Sequence, residues 1–437
     1  MKAGQVGVRY RPPARGRSWP TLAGLVFAAV SLLPALGEGG ASSRSSCAPL
    51  PLPPLDAPVV RVSPSQARRL PDIVAGAQPG TSILLEDGTY RIGENAIAVR
   101  RDGITIRSRS GNRSAVILDG DRHETRTMIS IQARHVTIAD LTIRDVYYHA
   151  IHVSGGGDHV RLYNLHVADA RQQLIKVNPD VGGRMNDHGL LACSLLELTA
   201  AGRDYVERHP TPDLPCYTGG LVAHQAWQWV VRDNVFRNIY CQKGLAQHAV
   251  HFWKTSRDTT VERNLVQNCA RGIGLGLGAE GGHRTYPDLP QTAPQQIGHF
   301  GGTIRNNMIW SNLGRLFDTG IGLEQASGVS VDHNTIFVGA GFSSIDVRFP
   351  ASDAVVRNNL YDIPMTIRDG GRPRADRNVA SARAEMFVDS VTGDLHLRGA
   401  VDGVVDRGLD LRREIPADFD GEPRDEAPDI GADEHRG

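Results

Sequence analysis

Basic and histidine side chains recur along this chain at spacings that bring several of them into one line. Twelve residues separate Asp140 from His152, Asn164 from Lys176, Asn264 from Gly276 and Asn334 from Asp346, each count running from a polar turn into the following apolar strand. In HAVHFWK an insertion of five residues shifts the same strand, which puts His251 in the column, Trp253 beside it and Lys254 just beyond. His224 falls on the same face, and Arg271 shares a turn-plus-seven position with Arg171. Outward side chains of a period-two strand lie on one surface, so one face is expected to carry His152, Lys176, His224, His251, Lys254 and Arg271. Such a set suits an acidic sugar, because cations neutralise a uronate carboxylate while a base removes the proton at C5. Arg271 and Lys254 are the expected neutralising groups. Lys176 or His251 is the expected base, histidine by its near-neutral pKa and lysine only if its neighbours depress its own. His152, His224 and Trp253 are the expected substrate contacts. The glycines at 272, 274 and 276 strip side chains from the strand after Arg271, either to relieve crowding or to clear a floor for a ligand.

The elements that position these residues repeat. HVTIADLTI (135–143), HVRLYNLHV (159–167), LLACSLLEL (190–198), WVVRDNVF (229–236), TTVERNLV (259–266), GTIRNNMI (302–309), VSVDHNTI (329–336) and AVVRNNLY (354–361) each combine a short alternating strand, a polar turn and a second apolar run. Turns at Asp140, Asn164, Ser194, Asn234, Asn264, Asn307, Asn334 and Asn359 are separated by 24, 30, 40, 30, 43, 27 and 25 residues. The short steps give one coil of three strands, and the long ones add loops. The pattern predicts an all-β, right-handed, single-stranded parallel β-helix of roughly eight to ten coils. Asparagine suits the turn, since it tolerates left-handed backbone and its amide both donates and accepts, so stacked coils can build an asparagine ladder. A sandwich of antiparallel hairpins would need Asn-Gly turn pairs, which are sparse.

At the amino-terminal side, residues 63–92 read as a short helix, a turn at Pro79-Gly80 and a strand ending at Asp87-Gly88-Thr89, a cap over the first coil. The chain closes on a polar coil and strap at 386–437. The opening pattern A-x-PG-x-x-I-x-L-x-DG-x-Y and the closing D-x-DG-x-x-R…PDIGADE resemble bacterial secreted right-handed β-helix proteins, a superfamily that includes pectate lyases and the chondroitinase B and alginate lyase group. The resemblance spans nearly the whole mature chain. It implies a lysine or arginine base, often with calcium bridging the substrate carboxylate. No compact acidic calcium motif is present; Asp318, Glu324 and Asp346 are candidates by lying at or near second strands of later coils.

The remaining features set the context. Lys2, Arg9, Arg11, Arg15 and Arg17 precede the apolar run 21–36, which predicts a secretory signal over 1–41 and no membrane span once it is cleaved. Cys47 lacks the apolar residue that usually precedes a lipidated cysteine. Residues 42–62 are expected to be a proline-rich exposed linker, 63–385 the β-helix, and 386–437 the last coil and strap. Cys193, Cys216, Cys241 and Cys269 would meet an oxidising compartment, with Cys193–Cys216 and Cys241–Cys269 as possible bridges. Insertions at 178–218 and 278–300 leave the same side of the repeat and are expected to wall a groove. Of 437 residues, 48 are Lys or Arg and 48 are Asp or Glu, with no basic run, which argues against nucleic-acid binding. The preferred reading is a secreted, periplasmic or surface lyase, a monomer, acting on an acidic polysaccharide. The rivals are an inverting glycoside hydrolase and a non-catalytic glycan-binding or envelope β-helix.

Overall fold

The computed structural model describes residues 47–51, 53, 57–121, 123–211, 214–278, 284–288 and 297–436. The predicted signal lies outside the described residues, among which no helix is long and apolar enough to cross a membrane. Three long sheets run along one axis. The first has twelve strands, from Val59–Val62 to Arg374–Asp376; the second has ten, from Ile97–Val99 to Thr366–Arg368; the third has ten, from Gly88–Tyr90 to Leu360–Tyr361. Within each sheet every strand pairs in parallel with its counterpart one coil away, for example Gln173–Asn178 with His149–Ser154 and with Gly219–His224. The chain is a parallel β-helix, as the repeat predicts. Its core is the stack of inward Ile, Val and Leu side chains, among them Ile129, Ile151, Ile175, Leu221, Ile273, Ile321 and Ile345.

The turn between the first and third sheets carries the ladder. The side-chain amide of Asn234 donates to Asn264, Asn264 to Asn307, Asn307 to Asn334, Asn334 to Asn359 and Asn359 to Asn378, at 2.8–3.0 Å. Each of these acceptor oxygens also takes the backbone N–H of the preceding asparagine, so the amides meet their demand away from water. The register differs from the expected one by a residue. Left-handed backbone falls on Cys193, Asp233, Arg263, Asn306, His333, Asn358 and Arg377, each one place before the ladder, whereas Asp140 and Asn164 occupy the left-handed place themselves. Asp140 and Asn164 therefore stand level with Cys193, and Leu141 and Leu165 fill the ladder position in those coils.

The ends differ from expectation in detail. Val59–Val62, assigned to the linker, pairs with Ser82–Leu85 and starts the first sheet. The helix Leu70–Gly76 buries Leu70 and Val74 in the core. Residues 47–51 lie across the outside of the first sheet: Tyr163 donates to the carbonyl of Ala48 at 2.6 Å and Arg107 to that of Pro51 at 2.8 Å. Proline lacks an N–H to give a sheet, but its carbonyl still accepts, and Leu50 and Cys47 supply apolar contact with Tyr163 and Cys193. Cys47 is joined to Cys193 and Cys216 to Cys241, while Cys269 is a buried free thiol. Both expected pairings are thus corrected, since the amino-terminal segment claims Cys193 and the first insertion brings Cys216 to Cys241. Beyond the last coil, an antiparallel hairpin of Phe387–Asp389 and Asp394–Leu397 leads into a strap beside the ladder turn. There Arg424 is buried with Glu434 at 2.8 Å and also donates to Asn306.

Candidate functional site

The outward face of the second sheet gathers the expected residues. Its central column reads Ser130, His152, Lys176, Val222, His251, Gly274, Gly322 and Asp346, each paired with the next coil. His152, Lys176, His251 and Asp346 hold their expected places. Gly276 does not; Gly274 takes its position, because turn register and turn-to-strand length both vary, and the two shifts cancel at Asp346 only. His224 lies two residues farther along its strand than Val222, paired with Trp253. Arg271 pairs with Thr319, whereas Arg171 precedes its strand and stacks over Tyr147 at 4.6 Å, so those two arginines do not share a position.

Lys176 is the centre of this face. It is 8% exposed, and its Nζ donates to Nε2 of His224 at 2.8 Å. Burial first, and the like charge of Lys254 second, lower its amine from 10.5 to about 7. His224 is held neutral by burial, with Lys176 and Lys254 adding to the effect. Its ring stands edge-on to Trp253, centroids 4.5 Å apart, and Trp253 in turn lies parallel to His251 at 5.6 Å. Lys254 follows the strand in left-handed backbone with Nζ 5.0 Å from the Trp253 ring centre. His251 is 2% exposed and donates from Nε2 to the Gly276 carbonyl at 2.9 Å; burial lowers it to about 3. His152 donates to Asn178 at 2.8 Å and is also held neutral by burial. The face is therefore a strip of neutral imidazoles around one amine poised near neutrality.

The carboxylates are engaged elsewhere. Asp346 takes a two-pronged contact from Arg368 at 2.7–3.2 Å. Arg271, partly buried, donates to the Ala246 carbonyl at 3.0 Å; burial disfavours its charge and the carboxylates of Asp318 and Glu324 support it. Asp346 is thus paired with Arg368, while Asp318 accepts from the Thr319 hydroxyl at 3.1 Å and Glu324 from the N–H of Gly278 at 2.5 Å. Among the described residues the only trio of candidate metal ligands within reach of one ion is His396 of the terminal hairpin with Asp420 and Asp433 of the strap.

Sequence reasoning missed His248. Its ring is 5% exposed, packs against His251 at 4.4 Å, and fills the space over Gly274, where an added Cβ would come within 2.7 Å of Nε2. The bare strand after Arg271 is thus, at Gly274, a socket for an imidazole. The spaced glycines were the visible signal, but the histidine that uses them sits one coil earlier. The insertions do not share one side of this face as expected: residues 179–189 and the loop after 278 follow second-sheet strands, whereas the helix Ala200–Arg208 lies between the third-sheet strand Leu195–Glu197 and the second-sheet strand Gly219–His224. In the first insertion that helix is capped by Thr199 and tied by Asp169, and the insertion is stapled by Cys216–Cys241. In the second, Arg284 pairs with Asp187 and Tyr286 donates to the Thr255 carbonyl, drawing that loop back onto neighbouring turns.

No family model matches the chain, and no curated protein sequence matches it. Solved structures do. The crystal structure of pectate lyase Pel9A superposes with a TM-score of 0.52 at 16% identity, over 86% of this chain and 96% of that one. An alginate lyase from Paenibacillus sp. str. FPU-7 gives 0.39 at 13% identity, over 74% and 99% of the two chains. PfbA, a surface adhesin of Streptococcus pneumoniae, gives 0.45 at 14% identity, over 73% and 88%. At these identities the likeness is one of fold.

Proposed function

We propose that the protein is a polysaccharide lyase that cleaves a uronate-containing glycan by β-elimination, with Lys176 as the base. The observation that carries this reading is Lys176 itself, a nearly buried amine of lowered pKa, hydrogen-bonded to an imidazole and unpaired with any carboxylate among the described residues. Its lone pair takes the C5 proton, the C–H electrons form the C4–C5 double bond, and the C4–O bond breaks, the leaving oxygen taking a proton from water. The cations of Arg271 and Lys254 oppose the negative charge that builds on the uronate as C5 is deprotonated. In this reading His152 and Trp253, neighbours of the Lys176–His224 pair, contact the sugar, and the His251 ring lies parallel to that of Trp253. No step is routed through calcium, and Asp346, the acid in the Lys176 column, is paired with Arg368. An inverting hydrolase needs two free carboxylates facing each other, and Asp346 is clamped by Arg368. The two disulfides accord with a protein working in an oxidising, extracellular setting.

The test is incubation of the mature protein with a panel of uronic-acid polysaccharides, with and without calcium, following the absorbance of unsaturated uronate. A rise that Lys176→Ala abolishes supports the lyase. No rise on any acidic glycan overturns it, and release of reducing ends from neutral glycans, or binding without turnover, then identifies the hydrolase or the binding protein.

A further inference from the structure

His224 was expected to touch the substrate, but its geometry gives it another task. Its Nε2 is occupied by Lys176 at 2.8 Å, and its ring is fixed edge-on against Trp253. Trp253 is itself in contact with the parallel ring of His251 and with Lys254. A lysine amine is a freely turning rotor with three equivalent donors when protonated. Giving one N–H to an immobile acceptor stops that rotation and sets the direction of the lone pair left when the amine is neutral.

We propose that His224 is a positioning residue: it accepts one N–H of Lys176, fixes where the amine's lone pair points, and acts on the reaction through the lysine with no contact to the sugar. This rests on Lys176 being the proton acceptor. The same bond persists after the proton is taken, because the ammonium still donates to Nε2, so the pair needs no rearrangement between the two states. Among the described residues the titratable groups facing the pair are basic: His149 and His152 on the preceding strand, and His251 and Lys254 on the coil after His224. Among the described residues no carboxylate pairs with the amine, so an acid introduced at 224 would place an anion directly beside it.

Two readouts test the proposal. The first is the pH dependence with which Lys176 is acylated by an amine-selective reagent, located by peptide mass spectrometry, which requires no substrate. His224→Asp is expected to raise the midpoint by about one unit or more, as an anion beside an ammonium does. The second is turnover. His224→Leu is expected to lower kcat about 10- to 100-fold at a KM within about twofold, the result of losing orientation. His224→Gln, which keeps an acceptor, is expected to restore kcat to within about tenfold of the parent, and a normal melting profile for that variant excludes a folding defect. An unmoved midpoint in His224→Asp, or a raised KM at unchanged kcat in His224→Leu, overturns the proposal. A moved midpoint in a protein that degrades no acidic glycan upholds the lysine–histidine couple and overturns the lyase reading alone.

Discussion

The ladder turn and the second sheet are built by the same coils yet treat polar groups in opposite ways. At the ladder, Asn234, Asn264, Asn307, Asn334 and Asn359 are fully buried, and each amide is paired with its neighbours above and below. On the second sheet, Lys176, His248 and His251 are nearly as buried, but Nδ1 of both histidines has no partner and the lysine has an imidazole in place of a counter-charge. A buried polar group without a full set of partners destabilises by about 1–3 kcal/mol. The repeat can satisfy such groups wherever one residue type recurs, as the ladder does. Leaving them unsatisfied on one face raises the energy of that face and keeps an amine there in its reactive form.

Breaking the second sheet at its centre should have the largest effect. Lys176→Met is expected to remove turnover by about 10²- to 10⁴-fold, the range for loss of a general base. The same change is expected to stabilise the fold. The folded pKa of about 7 lies below the 10.5 of the free amine, so the folded chain binds fewer protons between those values. The penalty for burying Lys176 is complete below about pH 7 and fades as pH rises toward 10.5. Lys176→Met should therefore gain up to about 5 kcal/mol at pH 6, by urea titration, and little at pH 10. A variant that is inactive and also less stable at pH 6 would show that the lysine belongs to a satisfied network like the ladder. In the parent, turnover should rise with pH through about 7 as the amine loses its proton.

Breaking the ladder should do the reverse. Asn264→Leu removes the acceptor for the N–H and amide of Asn234 and the donor to Val231 and Asn307, and is expected to destabilise by about 3 kcal/mol with kcat unchanged. Gly274→Ala pushes a methyl into the His248 ring and should destabilise by about 1–3 kcal/mol, with turnover reduced because the ring packs on His251. Asn378→Ala, at the partly exposed end of the ladder, should destabilise by about 1 kcal/mol or less. If Asn378→Ala matched Asn264→Leu, burial would not be what gives the ladder its strength.

The fold was legible because a solenoid writes its coil length into the sequence, and the asparagine ladder was legible because one residue type recurs at one place. His152, Lys176 and Asp346 were found by counting twelve residues from that turn, and His251 by allowing its coil five more. The count failed at Gly276, where the path from turn to strand is shorter. The bond between Lys176 and His224 was invisible to counting, since the insertion at 178–218 separates two residues that stand on adjacent strands. The disulfides were misread because Cys47 sat in a stretch judged to be linker, and the role of Asp346 was misread because Arg368 lies a coil away.

The tie between Cys47 and Cys193 changes what a cut chain would mean. Residues 47–51 reach the first sheet at Arg107, Tyr163 and Cys193, rows that belong to separate coils. A protease that severed the backbone between Pro51 and Val59 would leave this segment covalently attached and still bridging those rows. The nicked protein would run as one species until it was reduced, so its endurance in a protease-rich environment would depend on redox potential more than on an unbroken backbone.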